Sequence, residues 1–386
     1  MNTNLDECQR LMKRAIKLAQ KGRGRVEPNP MVGCVIARND RVIGEGWHRR
    51  FAGLHAEIEA LKACTQSPKG ATAYVSLEPC CHVGKTPPCT DALIQAGIRR
   101  VVVAVRDPQI HTKRHGVTVL RRAGIDVDIG TEAVAAAELL APYLTRACLH
   151  RPYVIAKWAQ SLDGKLSTSS GDSRWISNEW SRRLVHKVRA RVDAILVGSQ
   201  TAIADDPRLT ARNVTRQRRA MRIVLDTRLR LPLRCRLVET AREIPTLIFT
   251  AAKCARSPKA NRLKARGVQV ESCRTKGGRI APKAMLSRLA QLDVTNLLVE
   301  GGPTILTTFF ENGVVDEAHV FTSPMLIGGR NAPSAIGGRG ASAISSALRP
   351  RWIKIRRCGD DTLSVVRFTD PPLTPRRSSK SLRKIP

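Results

Sequence analysis

ATAYVSLEPCCHVGKTPPC, residues 71–89, is the stretch that decides how this chain reads. An apolar run enters a Pro- and Gly-rich loop that holds three cysteines and a histidine. Such a loop serves as a metal site, a disulfide or a turn with inert thiols. The segment HAEIEAL at 55–61 bears on the choice. A zinc deaminase needs three protein ligands and an open fourth position, where the metal activates water, together with a proton shuttle that is not a ligand. Its usual signature is His-x-Glu followed by Pro-Cys and a second Cys. His55 and Glu57 supply the first part, and Pro79-Cys80 with Cys89 the second. Near the start of a helix, positions i and i+2 both approach one cavity, so Glu57 can carry a proton to a leaving amine. Cys80 and Cys89 are separated by eight residues, not two, which departs from C-x-x-C. Cys81 competes with Cys80 on spacing alone; the cysteine preceded by proline at a strand end is the favoured ligand.

The bulk composition narrows the function classes. A length of 386 residues suggests two or three domains, and 42% hydrophobic residues can build their cores. No run of apolar residues is long enough to span a bilayer, and the N-terminal segment shows helical apolar spacing broken by charges, unlike a signal peptide. The eleven cysteines, an odd number scattered along the chain, are therefore expected as thiols in a reducing cytoplasm rather than as a disulfide framework. Lys and Arg total 66 against 32 Asp and Glu, a net +34. Such a balance invites a nucleic-acid reading. The basic residues are dispersed, however, and aromatics for base stacking make up only 4%. The composition argues for a basic solvated surface, without nucleic acid or membrane as partner.

Along the chain, residues 1–148 alternate helical and extended patterns. A helix is expected over about 5–20, then two strands joined by a turn at Asn39-Asp40, a helix over HAEIEALKAC and a strand over ATAYVSLE. CTDALIQAG reads as a helix ended by Gly97, RRVVVAVRDP as a buried strand, GVTVLRRAG as a helix, and IDVDIG as a last strand. This predicts a layered α/β domain with a mostly parallel sheet. A helix over 131–148 leads to a joint at Arg151-Pro152. Residues 151–370 repeat the rhythm with different content. Strands are expected at YVIAKWAQSLDG, DAILVGS, MRIVLD and TLIFTA, and EAHVFTSPMLIG closes the unit. NLLVEGGPTIL reads as strand, Gly-Gly turn and helix start, and the exposed N–H groups there suit a diphosphate. Asp205-Asp206-Pro207 reads as a turn or a helix cap. The Pro/Ser/Lys/Arg-rich end, 371–386, reads as a disordered basic tail.

HAEIEAL, SLEPCCHVGKTPPC and PNPMVGCVI (28–36) together resemble the deaminase half of the bifunctional riboflavin-biosynthesis deaminase–reductase family. The long PC…GKTPPC loop is typical of that family and accounts for the cysteine spacing. KWAQSLDGKLSTSSGDSRWIS (157–177), VRARVDAILVGSQTAIADDPRLTAR (188–212) and LVEGGPTIL (298–306) resemble its reductase half, in the same order. The resemblance spans roughly residues 5–370 and is poor over 228–293. It implies a cytidine-deaminase-like α/β/α domain followed by a dihydrofolate-reductase-like α/β domain. In the first, it implies His55, Cys80 and Cys89 as zinc ligands, Glu57 as proton shuttle, and substrate contacts at Asn29, His48, His82 and Lys85. In the second, it implies NADPH contacts at Ala159, Trp175, Thr201, Asp205, Thr227, Gly301 and Gly302. Substrate contacts there fall at Ser173, Arg189, Leu209, Arg212 and Glu300, with Lys157 beside the ribosyl carbon that receives hydride. Arg189 and Arg212 suit a phosphate clamp, because guanidinium groups bind phosphate through two parallel hydrogen bonds.

The implied activity is deamination of a phosphorylated diaminopyrimidinone riboside, then reduction of its ribosyl chain to ribityl, by a cytoplasmic homo-oligomer acting on small molecules. There are departures. Where the family carries DPNPxVAGxG this chain reads DPQIHTKRHG at 107–116, and Gln109 replaces an Asn that would contact substrate. The family also favours Pro before HAE and His where Glu59 stands. Two rival readings follow: a reductase with a drifted deaminase half, and a tRNA deaminase with the same zinc chemistry.

Overall fold

A computed structural model describes residues 3–82, 87–109, 115–215 and 218–374. Backbone contacts divide the chain into a first unit, Met1–His150, joined by the residues after Asp370, and a second, Arg151–Asp370. Beyond 374 the expected tail lies outside the described residues.

The first unit holds five strands: β1 (Gly33–Arg38), β2 (Arg41–Trp47), β3 (Thr72–Val75), β4 (Arg100–Val103) and β5 (Asp126–Ile129), in the order β2-β1-β3-β4-β5. The expected turn lies at Asn39-Asp40, both at positive φ (44° and 65°), the geometry of a two-residue hairpin that keeps the strand twist. That hairpin makes the sheet mixed rather than mostly parallel: β1 runs antiparallel to both neighbours, and only β3-β4-β5 are parallel. Side chains alternate across the sheet, so each strand serves two cores. Val35, Ala37 and Val102 face the helices Thr3–Ala19 and Ala133–Leu149. Cys34, Ile36, Val101 and Val103 face Ala56–Lys62, Cys89–Gln95 and Gly116–Arg122. The result is helix, sheet and helix in three layers.

The helix Ala56–Lys62 lies directly on β2, and Gly46 permits that approach. A Cβ there would stand 2.3 Å from the Ala60 nitrogen and 2.4 Å from the Ala56 oxygen. Gly46→Ala must push the helix off the strand. Overpacking of this kind costs about 1–3 kcal/mol. A melting curve should show the transition lowered by several degrees, and an unchanged transition would mean that the contact is looser than it stands here.

The second unit is built on a nine-stranded sheet. Its strands are β6 (Tyr153–Ser161), β7 (Ala194–Gly198), β8 (Met221–Leu225), β9 (Thr246–Thr250), β10 (Gln269–Ser272), β13 (Asn296–Val299), β14 (Glu317–Ser323), β15 (Trp352–Cys358) and β16 (Asp361–Arg367), with a separate small hairpin of β11 (Thr275–Lys276) and β12 (Arg279–Ile280). The order is β10-β9-β8-β7-β13-β6-β14-β16-β15. From β10 to β14 every pairing is parallel, and only β16 and β15 join antiparallel. Leu196, Ile223, Leu247 and Leu297 pack one core with the helices Pro282–Gln291 and Pro303–Glu311. Ile195, Val224, Ile248 and Leu298 pack the other, with Val188 of Glu179–Arg189 and Leu263 of Pro258–Ala265.

One buried carboxylate gathers the unit's two ends. Asp316 accepts both guanidinium nitrogens of Arg151, at 2.6 and 2.8 Å. It also accepts the Val154 N–H at 2.9 Å and the Thr369 hydroxyl at 2.8 Å. No helix among the described residues is long and apolar enough to cross a membrane.

Candidate active sites

In the first unit, His55 is the extended residue capping the helix Ala56–Lys62, and Cys89 is the first residue of the helix Cys89–Gln95. The loop leaving β3 brings Cys80 between them. The His55 Nδ1 lies 3.4 Å from the Cys80 sulfur and 3.3 Å from the Cys89 sulfur, and all three donor atoms fall within 4.8 Å of one another. Donors at Zn–S about 2.3 Å and Zn–N about 2.0 Å around one tetrahedral ion are about 3.5 Å apart. The spacing and the thiol, thiol and imidazole set therefore fit zinc. Cys81 is not a member of this group. The Cys89 thiol donates to Cys80, whose pKa falls to about 4 against its own burial, helped by His55 and the Cys89 N–H; Cys89 is correspondingly raised.

Glu57 sits in the first turn of its helix, only 3% exposed. Burial, with the neighbouring Cys80 charge adding to it, raises its carboxyl to about 7. His48 is also buried. Its Nδ1 donates to the Leu54 carbonyl at 2.9 Å, which leaves Nε2 to accept from the Asn29 amide at 3.3 Å. Burial lowers its pKa, which favours the neutral ring. A cavity of about 320 Å³ brings together Asn29, His48, His55, Glu57, Cys80 and His82. Lys85 lies outside the described residues. Gln109 lines the same cavity, and its N–H donates to Asp107 at 2.9 Å. Residues 110–114 of that loop lie outside the described residues. Two further lining residues, Tyr143 and Arg146, come from the helix Ala133–Leu149. The Tyr143 hydroxyl donates to Asp107 at 2.8 Å. The sequence reading passed over both residues; a Tyr and an Arg three apart in an Ala/Leu-rich helix were the only signal.

In the second unit two adjoining cavities meet at Lys157 and Glu300. One, about 670 Å³, is lined by Ala159, Thr201, Asp205, Thr227, Gly301 and Gly302, six of the seven residues expected at NADPH. The other, about 910 Å³, is lined by all five expected substrate residues, Ser173, Arg189, Leu209, Arg212 and Glu300. The seventh, Trp175, lies on the wall of this second cavity, 69% exposed, with the Arg182 guanidinium 4.6 Å from its ring.

The smaller cavity fits a dinucleotide. Gly301 and Gly302 follow β13 and open the nine-residue helix Pro303–Glu311, which has no side-chain cap to take its first N–H groups. A Cβ on Gly301 would strike Ile305 at 2.5 Å, and one on Gly302 would fill the space before the Thr201 hydroxyl, 3.2 Å away. Bare backbone at a helix start is what a diphosphate needs.

Glu300 is held by Arg189 through two bonds of 2.6 Å each, Nε to Oε1 and Nη2 to Oε2. Burial works to raise this carboxyl, but Arg189, then Lys157 and His186, hold it near 2. The Arg189 fork is thus occupied, and its Nη1 points to the Thr210 carbonyl at 3.4 Å. Arg212 is different. Burial, then repulsion from Arg189, Arg208 and Arg236, lowers its guanidinium, and an anion relieves that repulsion. Lys157 is pulled down by burial and pushed up by Glu300, with Arg189 opposing. Its proton is loosened yet held beside a carboxylate.

Two family models match this chain. The RibD C-terminal domain covers residues 152–364, and the cytidine and deoxycytidylate deaminase zinc-binding region covers 5–105. The riboflavin biosynthesis protein RibD of Aquifex aeolicus is 42% identical over 350 residues, 91% of this chain and 95% of that protein. The solved RibD of Acinetobacter baumannii superposes with a TM-score of 0.83 at 33% identity, covering 95% of this chain and all of that one. A diaminohydroxyphosphoribosylaminopyrimidine deaminase/5-amino-6-(5-phosphoribosylamino)uracil reductase from Thermotoga maritima does so with a TM-score of 0.79, also at 33% identity and with 95% of this chain covered.

Proposed function

The chain belongs to the RibD family, bifunctional deaminase–reductases of riboflavin biosynthesis that use zinc and NADPH, and from that premise we propose how its own residues divide the work. The first unit deaminates 2,5-diamino-6-(5-phosphoribosylamino)pyrimidin-4-one, and the second reduces the product to 5-amino-6-(5-phosphoribitylamino)uracil. The clustering of His55, Cys80 and Cys89, beside a cavity that His55, Glu57 and Cys80 line, carries the first assignment.

His55, Cys80 and Cys89 hold the zinc. When bound, zinc supplies Lewis-acid activation of water. Glu57, with a carboxyl that gains and loses a proton near neutrality, takes the proton of the attacking water and delivers it to the departing amine. The carbon–nitrogen bond breaks, ammonia leaves, and a carbonyl remains. Asn29 donates its amide hydrogens to the neutral His48 and turns its oxygen to the pyrimidine edge; His82 meets the ribose phosphate with Lys85.

In the second unit NADPH supplies the hydride when bound. Lys157 donates a proton to the ribosyl oxygen as the adjacent carbon takes the hydride and the carbon–oxygen ring bond opens. Glu300, fixed by Arg189, keeps that lysine charged. Arg212, with Arg208 beside it, holds the phosphate, and Ser173 and Leu209 close the substrate cavity. Ala159, Thr201, Asp205, Thr227 and the Gly301-Gly302 turn hold the cofactor, with Trp175 at the nicotinamide side.

The reading includes a cytoplasmic homo-oligomer. None of the eleven cysteines is joined in a disulfide, which suits a reducing compartment. Ile353 and Ile355 stand exposed on the edge strand β15, which suits self-association. The test is mass spectrometry of the diaminopyrimidinone riboside phosphate after incubation with zinc-loaded protein. Deaminated product is expected without NADPH, and deaminated, reduced product with it. Stripping the metal with a chelator should stop the first reaction and spare reduction of the deaminated intermediate. If only reduction is seen in the zinc-loaded protein, the deaminase half has drifted, as the altered 107–116 segment would allow.

A further inference from the structure

Arg212, the phosphate residue of the substrate cavity, stands on a stretch of chain that is neither helix nor strand. The helix Ser199–Asp205 ends, and residues 206–213 run on irregularly. Three of them, Asp206, Leu209 and Asn213, hold positive φ, at 39°, 48° and 54°. A residue as bulky as leucine takes that conformation only where its surroundings enforce it. Among the described residues, the backbone of 207–213 forms no hydrogen bond to other backbone groups. Side chains hold it instead. The Asp206 carboxylate fastens the near end, accepting the Arg236 N–H at 2.8 Å. Leu209 is anchored in the core on one face of the sheet, 3% exposed. The far end, which carries Arg212, is fastened from the helix Glu179–Arg189.

Two residues of that helix, three apart and so on one side of it, reach the stretch. Arg189, already forked onto Glu300, donates through Nη1 to the Thr210 carbonyl at 3.4 Å. His186 is the other. Its Nδ1 lies 3.3 Å from the Arg212 backbone nitrogen and 3.2 Å from the Thr210 oxygen. One ring nitrogen serves one of these at a time: bare, it accepts the Arg212 N–H; protonated, it donates to the carbonyl. Burial, then the charges of Arg189 and Arg212, lower the pKa of His186 and favour the neutral ring. Thr210 already has a donor in Arg189, so the proton is assigned to Nε2 and the bare Nδ1 takes the Arg212 N–H. This tether has a force to oppose. Arg212 is exposed, and Arg189, Arg208 and Arg236 all repel its guanidinium. That repulsion pushes the side chain outward, and a loose backbone would follow it.

We propose that His186 is a positioning residue of the reductase site: by accepting the Arg212 N–H it sets the Arg212 guanidinium where the riboside phosphate is held. The inference rests on the reading of Arg212 as the phosphate residue. A backbone fixed beforehand spares the substrate the cost of ordering it on binding. The tether is therefore expressed in affinity for the phosphorylated substrate, and His186 acts through Arg212 rather than on the reacting carbon.

The experiment is steady-state reduction by the full-length, zinc-loaded protein at saturating NADPH. Two substrates are compared, the deaminated riboside phosphate and the same riboside without its phosphate. The variants are His186→Leu, which keeps bulk and removes the ring nitrogens; His186→Asn, whose amide oxygen can stand where Nδ1 stands; Arg212→Gln; and His186→Leu combined with Arg212→Gln. Wild type should favour the phosphorylated substrate strongly. His186→Leu should raise KM for it about tenfold, the loss falling on KM rather than kcat, with the KM for NADPH and the kcat/KM for the unphosphorylated riboside little changed. His186→Asn should recover most of that loss. In the Arg212→Gln background, His186→Leu should cost nothing more, because the group it positions is gone. Equal losses on both substrates, an Asn variant no better than Leu, or full additivity in the double variant overturns the proposal. If wild type does not distinguish the two substrates, the reading of Arg212 fails and takes the proposal with it; if wild type does and His186→Leu distinguishes them as sharply, the proposal alone fails.

Discussion

Glu57→Gln should leave zinc bound and all but abolish deamination. Glutamine keeps the size and the hydrogen-bonding reach of glutamate, so the buried pocket stays filled, while the group can no longer accept and return a proton. Loss of a positioned general acid/base costs about 10²–10⁴-fold in rate. The three proposed zinc ligands are untouched, so zinc measured by atomic emission should remain stoichiometric. Reduction of the deaminated intermediate belongs to the other unit and should continue at the wild-type rate. Full deamination by this variant would remove Glu57 from its assigned role. Loss of zinc together with activity would make it a structural residue instead.

Lys157→Met is expected to have the complementary effect. Reduction should fall by about 10²–10⁴-fold in kcat, again the worth of a positioned proton donor, and deamination should be untouched. Methionine retains most of the buried alkyl stem, which packs near the Phe321 ring, where the ammonium now stands 5.7 Å from the centroid. The Glu300 carboxylate keeps its two bonds to Arg189, so the pocket does not acquire an uncompensated charge. NADP+ affinity should therefore change little. A rise in KM with kcat preserved would assign Lys157 to binding alone, and equal loss of both activities would point to a fold defect.

The parts of these sites that the sequence disclosed are those whose partners are close in sequence or sit at element ends. His55 and Glu57 are two residues apart at a helix start, and Cys89 opens another helix. The Gly301-Gly302 turn announces itself between a strand and a helix. Tyr143 and Arg146 were hidden because only the packing of the Ala133–Leu149 helix on the sheet brings them to the metal cavity. Arg189 read as a phosphate ligand among many arginines; its pairing with Glu300, more than a hundred residues later, is a tertiary fact. The hairpin of β15 and β16 went unread for another reason. From Ile353 to Arg357 nothing on β15 is buried, so the alternation that marks a half-buried strand is absent. The helices Pro258–Ala265 and Pro282–Gln291 fall in the stretch where the family resemblance is poor.

The carboxylate of Asp316 has a consequence for how such a gene can be arranged. By gripping Arg151 at the start of the second unit and Thr369 at its end, it brings the points where the chain enters and leaves to one place and closes the unit upon itself. The fastening needs no help from residues outside 151–370. A coding sequence cut at those two points should yield a free-standing reductase, and joining the old ends with a short loop should yield a permuted one. A free-standing reductase with the full-length protein's turnover would show that folding does not require the two catalysts to share one polypeptide.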